Sequence, residues 1–234
     1  NATNRQSMEL DVDIYIEAIE PDTRIVYITN PHSPSGTWLD EKEVRRVIEA
    51  SPNALVVLDE AYVHYSDTPG YIHLASEYEN LAVLRTFSKA FGLAGLRIGF
   101  GVASKPIIDA LLAVKPTWNM GQLQIAGGVA ALEDEAHVKQ TVQTIVQNRE
   151  YVQGRFEELD RFRMISGSRS NFFLVEILDP ATNSPKVFQE LLERGVIVKD
   201  GSVSFRGLHD RFLRCDVNLK PHMDRLVDAL ADLP

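Results

Sequence analysis

Lys89 has the sequence neighbours of a lysine that reacts with a carbonyl compound. A lysine amine forms Schiff bases, and it becomes nucleophilic where desolvation or nearby cations lower its pKa. Lys89 follows Ser88 and lies eight residues before Arg97, which opens an apolar stretch. A lone lysine in a loop is most often simply solvated. The hydroxyl and the guanidinium nearby favour a chemical role for Lys89.

Asp59 is the second residue whose setting indicates chemistry. It follows the five apolar residues "ALVVL", so its carboxylate is expected at the end of a buried strand. An acidic residue at that point can also serve only as a cap for the next turn. Together with Lys89, however, Asp59 outlines a pyridoxal 5′-phosphate (PLP) site, in which a lysine forms a Schiff base and an aspartate keeps the pyridine nitrogen protonated.

Short apolar segments around these residues are typical of buried strands. They are "RIVYIT" (24–29), "ALVVL" (54–58) and "LAVLR" (81–85). Apolar residues at helical spacing across 39–50 separate the first two segments. Helices that alternate with wholly apolar strands are typical of a mostly parallel sheet covered by helices, so we predict an α/β fold.

Polar residues follow each predicted strand. In open parallel sheets, ligands bind at the carboxyl ends of the strands. We therefore expect three polar clusters to face one crevice. These clusters are residues 30–37, 59–62 and 86–89.

The second half of the chain has a different pattern. A long polar stretch near 135–159 is predicted to form a helix that connects two domains. The segments "NFFLVEI" and "RFLRCDV" are predicted strands, and helices accompany them. We predict a larger domain over 1–145 and a smaller α+β domain over 146–234.

Composition excludes several classes of function. The chain has 234 residues and a formal net charge of −9, without a basic stripe that would follow a nucleic-acid backbone. A single cysteine, Cys215, excludes an internal disulfide and a cysteine-rich metal site and favours a reducing cytoplasm. The six histidines form no metal-binding pattern, and no apolar run is long enough to span a membrane. We expect no metal, nucleic-acid or membrane partner.

Motifs in a fixed order carry a resemblance to a known family. The motifs are "NPHSPSGT", "DEAY" and "RTFSKAFGLAGLRIGF", and Lys89 comes 30 positions after Asp59. They resemble the class I/II aminotransferases of PLP fold type I, and most closely the histidinol-phosphate aminotransferase family. The resemblance implies a PLP-transferase fold of type I, with residues 1–145 forming the C-terminal part of its large domain.

The resemblance also implies roles for matching residues. Lys89 would hold the cofactor as a Schiff base and move the proton between the substrate Cα and the cofactor. Asp59 would pair with the pyridinium nitrogen, and Tyr62 would donate a hydrogen bond to the phenolic oxygen of the ring. The phosphate ligands implied are Ser88, Arg97 and Thr86.

Further site residues are implied outside these motifs. The family has an asparagine where this chain has Ser33, so either Ser33 or Asn30 is expected to contact the phenolic oxygen. Arg214, in the segment "FLRCDV", is the expected clamp for the substrate α-carboxylate, with a surface salt bridge as the alternative. Asn119 is a further active-site candidate.

The resemblance covers nearly all of this chain but only part of the family's length, so we expect the chain to be a piece of a longer enzyme. It implies a cytoplasmic homodimer that moves an amino group between an L-amino compound, histidinol phosphate, and the 2-oxo acid 2-oxoglutarate. Two alternatives stay open. One is a PLP-dependent decarboxylase of threonine phosphate, and the other is a non-catalytic fragment that packs against a partner.

Overall fold

A computed structural model describes residues 8–205 and 207–234 and contains two separate four-stranded sheets. The first sheet has the order β1–β2–β3–β4, in which β1 to β3 are parallel and β4 is antiparallel to β3. This mostly parallel sheet confirms the predicted α/β class. Its strands are β1 (Ile25–Thr29), β2 (Leu55–Asp59), β3 (Leu81–Thr86) and β4 (Gly99–Ala103).

Two helices close the core of the first sheet. They are α1 (Val12–Glu17) and α2 (Glu41–Glu49). Asp40 starts α2 with a capping box, since its carboxylate accepts the Glu43 N–H while the Glu43 carboxylate accepts the Asp40 N–H. The buried face of α2 presents Val44, Val47 and Ile48 to the strands. This packing keeps the sheet rigid behind its carboxyl ends.

The second sheet is antiparallel and has the order β5–β6–β8–β7. Its strands are β5 (Phe162–Met164), β6 (Phe172–Ile177), β7 (Lys199–Asp200) and β8 (Phe212–Asp216). The remaining helices are α3 (Lys105–Val114), α4 (Gln122–Glu133), α5 (Glu135–Phe156), α6 (Ser184–Glu193), α7 (Gly201–Ser204) and α8 (Lys220–Ala231). The predicted boundary between 145 and 146 lies inside α5, and the division into two domains stays a prediction.

A close backbone contact joins the loop after β1 to the loop before β6. Gly36 has φ +78, and a Cβ atom there would lie 2.0 Å from Ser168 Oγ. The Arg169 N–H donates to the Gly36 carbonyl at 2.7 Å, and the Arg169 guanidinium pairs with Asp67 at 2.6 Å. Only glycine fits this position, and the contact fixes the second sheet against the first.

A buried ion pair joins the ends of β2 and β3. Glu60 is fully buried, and its Oε2 accepts hydrogen bonds from Arg85 Nε at 2.9 Å and Nη2 at 2.7 Å. Its Oε1 accepts the Tyr71 N–H at 2.5 Å. Arg85 Nη2 also donates to the Pro69 carbonyl at 2.6 Å. The loop that follows Asp59 is therefore tied to the strand that precedes Thr86.

We expect Glu60→Gln to lower the free energy of unfolding by roughly 3 kcal/mol, because the substitution leaves the Arg85 charge buried without its partner. Urea denaturation followed by circular dichroism measures this change. Glu41→Gln is the matched control, since Glu41 pairs with Arg45 at the surface and little change is expected. Equal effects of the two substitutions would contradict the importance of the buried pair.

Candidate active site

An open cleft of about 590 Å³ lies at the carboxyl ends of β2 and β3. Residues of the β2 end, of the turn after β3 and of β4 line it. The structure thus brings together half of the side chains that the sequence predicts for the site. Those that line the cleft are Asp59, Thr86, Ser88, Lys89 and Arg97.

Asp59 ends β2 and is held by two hydrogen bonds. Its Oδ1 accepts the Ala61 N–H at 2.9 Å, and its Oδ2 accepts the Tyr27 hydroxyl at 2.5 Å. Burial, together with the hydrogen bond to Asp59 and the charge of Asp59, raises the pKa of Tyr27 above its ordinary value. Tyr27 therefore stays protonated at neutral pH and donates to the carboxylate. Two fixed donors hold the Asp59 carboxylate in one orientation.

Lys89 lies in a compact turn after β3. The Ser88 N–H donates to Thr86 Oγ1 at 3.0 Å, and the Gly92 N–H donates to the Lys89 carbonyl at 2.9 Å. Gly92 has φ +71, which glycine adopts without strain. Within the described part of the chain, Lys89 Nζ makes neither a hydrogen bond nor an ion pair, and it lies 5.1 Å from the centre of the Tyr62 ring. Its amine is available for chemistry.

Ser88 and Arg97 meet at the same cleft. Arg97 has φ +55 at the end of a short 3₁₀ turn, and this left-handed backbone returns the chain toward Ser88. Its Nη1 donates to Ser88 Oγ at 3.4 Å and to the Ala94 carbonyl at 2.9 Å. A guanidinium beside a hydroxyl is a suitable binding site for phosphate oxygens.

Tyr62 lies beneath Lys89 and is buried against Phe172 of β6. Arg214 comes from β8, and its guanidinium carbon lies 3.8 Å from the centre of the Phe172 ring. Arg214 Nε is buried and has no partner among the described residues. A buried guanidinium with a free N–H is poised to bind an anion.

Besides Tyr62 and Arg214, three predicted residues do not line the cleft. Asn30 is fully buried, and its side-chain amide is bonded to both the N–H and the carbonyl of Leu39, so this geometry does not support a cofactor contact for Asn30. Ser33 is partly exposed and does not line the cleft. Asn119 is exposed in the loop between α3 and α4.

Tyr27 and His64 are not among the site residues predicted from the sequence. Tyr27 lies two residues before Thr29, which pairs with Asp59 across the sheet, so strand alternation was the available signal. His64 packs edge-on against Phe91 at 5.0 Å, and its Nδ1 is buried without a partner among the described residues. Burial and the nearby charge of Arg85 lower the pKa of His64 to about 4.

Residues 8–205 and 207–234 show neither a metal-binding cluster nor a membrane-spanning helix. These residues contain no group of three or more His, Cys, Asp or Glu side chains that could hold a metal ion. None of their helices combines the length and the apolar character that a membrane span needs.

The sequence is similar to those of known enzymes. A family model described as aminotransferase class I and II matches residues 1–230. A histidinol-phosphate aminotransferase of Methanopyrus kandleri is 34% identical over 97% of this chain and 57% of its own length. One from Geobacillus sp. strain WCH70 is 36% identical over 95% of this chain and 60% of its own length. The chain spans less than two thirds of these relatives.

Solved structures share the fold. The histidinol-phosphate aminotransferase of Clostridium acetobutylicum has a TM-score of 0.86 at 22% identity, over 96% of this chain and 68% of its own. The Sinorhizobium meliloti enzyme in complex with PLP has a TM-score of 0.79 at 27% identity, over 88% and 56%. The L-threonine-O-3-phosphate decarboxylase of Porphyromonas gingivalis has a TM-score of 0.81 at 24% identity, over 92% and 66%.

We expect His64 to make stability depend on pH. Its pKa is lowered from 6.5 to about 4 in the folded chain, so the unfolded chain binds more protons between these values. The free energy of unfolding therefore has its full value above pH 6.5, and it falls by about 1–3 kcal/mol as the pH falls toward 4. Urea denaturation of the parent protein and His64→Gln across this range measures the difference.

His137→Gln is the control for this measurement, because His137 is exposed on α5. It is expected to keep the pH dependence of the parent protein. A His64→Gln variant that lost stability between pH 6.5 and 4 as steeply as the parent would show that His64 does not contribute.

Proposed function

Because the chain belongs to the class I and II aminotransferase family, we propose that it transfers an amino group between an L-amino compound and a 2-oxo acid with PLP as cofactor. One observation carries this proposal. The unpaired Lys89 amine shares a cleft with the Asp59 carboxylate and the Ser88–Arg97 pair. This set of groups fits the three polar parts of PLP, which are its carbonyl carbon, its ring nitrogen and its phosphate.

When bound, PLP supplies an electron sink that stabilises negative charge at the substrate Cα. Lys89 would hold the cofactor covalently through its amine, and its released amine would take the substrate Cα proton and deliver it to the former carbonyl carbon of the cofactor. Tyr62 lies beside this amine, where its hydroxyl is proposed to donate to the ring oxygen.

Asp59 keeps the ring nitrogen protonated by accepting its hydrogen bond. The two bonds from Ala61 and Tyr27 hold the carboxylate so that it does not have to reorient. Ser88 and Arg97 bind the phosphate, with Thr86 as a further ligand, and thereby fix the ring relative to Lys89. Arg214 binds the α-carboxylate of the 2-oxo acid substrate with its buried guanidinium.

The finer identity of the reaction rests on the relatives. Their name, with 34% and 36% identity, supports histidinol phosphate as the amino donor, and we propose 2-oxoglutarate as the acceptor. A homodimer in the cytoplasm and the division into domains over 1–145 and 146–234 are part of the same proposal. The likeness to the threonine-phosphate decarboxylase supports the fold alone, and release of carbon dioxide from threonine phosphate would distinguish that activity.

We expect borohydride reduction of the PLP-loaded protein to attach the pyridoxyl group to Lys89, because this amine is unpaired and lies in the cleft. Peptide mapping by mass spectrometry identifies the modified lysine. Lys89→Ala is the control and should not be labelled in the cleft. Lys105 already pairs with Asp109, and a pyridoxyl group found there instead would end the assignment.

We expect Asp59→Asn to lower turnover by orders of magnitude, since the ring loses its electron-sink character without a protonated nitrogen. Tyr27→Phe removes one of the two donors to Asp59, so a smaller loss of roughly 10-fold is expected. Steady-state kinetics measures the turnover of both variants, and urea denaturation checks that each variant is folded. Near-normal turnover of Asp59→Asn would show that Asp59 is only a cap.

A further inference from the structure

The Arg214 guanidinium lies over an aromatic ring. Its Cζ is 3.8 Å from the centre of the Phe172 ring and 6.0 Å from that of Phe205. The Arg214 side chain is only 10% exposed. Among the described residues, its one hydrogen-bond partner is Asp216, at 3.2 Å from Nη2, and the Asp216 side chain is 64% exposed. The ring, and not this exposed carboxylate, is the main contact of the guanidinium.

We propose that Phe172 is a positioning residue that holds Arg214 for the substrate carboxylate, an inference that rests on the proposed function. The N–H bonds of a guanidinium lie in its plane, and a carboxylate binds to an edge of that plane. A ring that covers one flat face leaves these edges free. Contact with the ring thus restricts the movement of Arg214 while its buried Nε–H stays available.

Phe172 also packs against a residue of the loop that follows β2. It is fully buried, and it meets the Tyr62 ring edge-to-face with centroids 4.8 Å apart and an interplanar angle of 88°. Tyr65 and Ala90 complete the cluster around it. We call Tyr62 and Phe172 the aromatic bridge.

The aromatic bridge lies between Lys89 and Arg214. Ala90 follows Lys89, and Lys89 Nζ lies 5.1 Å from the Tyr62 ring centre. The bridge therefore sets the position of Arg214, on β8, relative to Lys89, in the turn after β3. A substrate whose carboxylate is bound by Arg214 then has its Cα at a fixed place near the lysine.

The chain offers a matched pair of variants. Phe173 follows Phe172 on β6 and is equally buried, but it faces the core of the second sheet, where its ring meets Phe156. Phe172→Leu and Phe173→Leu remove the same atoms from the same strand. Only the first removes the ring beneath Arg214.

The test uses the PLP-loaded protein and two readouts. Calorimetry gives the Kd of succinate, a dicarboxylate with neither an amino nor an oxo group, and kinetics gives KM and kcat for the 2-oxo acid acceptor. We expect Phe172→Leu to raise the succinate Kd and the KM of the 2-oxo acid by about 3- to 30-fold, as expected for a lost desolvated cation–π contact. The Kd of PLP should stay within about 3-fold, because the substitution leaves Lys89, Asp59, Ser88 and Arg97 in place.

Phe173→Leu should lower stability and leave the succinate Kd unchanged. If Phe172→Leu does not unfold cooperatively, Phe172→Met fills more of the volume without an aromatic face, and the same rise in Kd is expected. A succinate Kd equal to that of Phe173→Leu in the folded variant would overturn the proposal.

Arg214→Lys separates this inference from the proposed function. A weaker succinate affinity in Arg214→Lys, together with no change in the Phe172 variant, would leave the carboxylate clamp standing and reject only the role of Phe172. An unchanged succinate affinity in both variants would reject the carboxylate clamp and the role of Phe172 together. Borohydride labelling of Lys89 tests the cofactor site independently.

Discussion

The buried ion pair between Glu60 and Arg85 holds together the two strand ends from which the functional side chains project. Asp59 precedes Glu60 at the end of β2, and Thr86 follows Arg85 at the end of β3. Separating these ends would leave a charge buried without its partner, which is among the most costly changes a folded protein can undergo. The carboxylate of Asp59 and the turn that carries Lys89 are therefore fixed relative to each other by charge as well as by parallel pairing.

The cleft built on this frame has two chemically different parts. Asp59, with its donors Tyr27 and Ala61, forms an anionic part, and Arg97 with Ser88 forms a cationic part. Such a cleft complements a ligand that carries a protonated ring nitrogen and a phosphate. Since the Lys89 amine has no partner among the described residues, it is available to a carbonyl carbon held between these parts.

The sequence predicted the residues that lie at strand ends, because a buried strand is visible as an apolar run and its last polar residue is then placed by topology. Lys89, Asp59 and the hydroxyls around Lys89 were found in this way or through the motifs. Residues whose role depends on contacts between neighbouring strands were not predicted. The contact of Tyr27 with Asp59 requires the β1–β2 register, and the stack of Arg214 on Phe172 joins strands 42 residues apart in sequence.

Asn30 and Asn119 show the opposite limit of sequence reasoning. Both are polar residues near motifs. The Asn30 side-chain amide makes its hydrogen bonds with the Leu39 backbone, and Asn119 is exposed in a loop that does not line the cleft. Residue type and proximity in sequence do not reveal whether a side chain's hydrogen bonds are already satisfied within the protein.

A crystal structure of the protein with PLP tests the central claim most directly. We predict continuous electron density from Lys89 Nζ to the cofactor, with the ring nitrogen facing Asp59 and the phosphate on Ser88 and Arg97. Density for the cofactor on a different lysine, or in the separate pocket lined by Trp38 and Arg169, would contradict the assignment of this cleft as the active site.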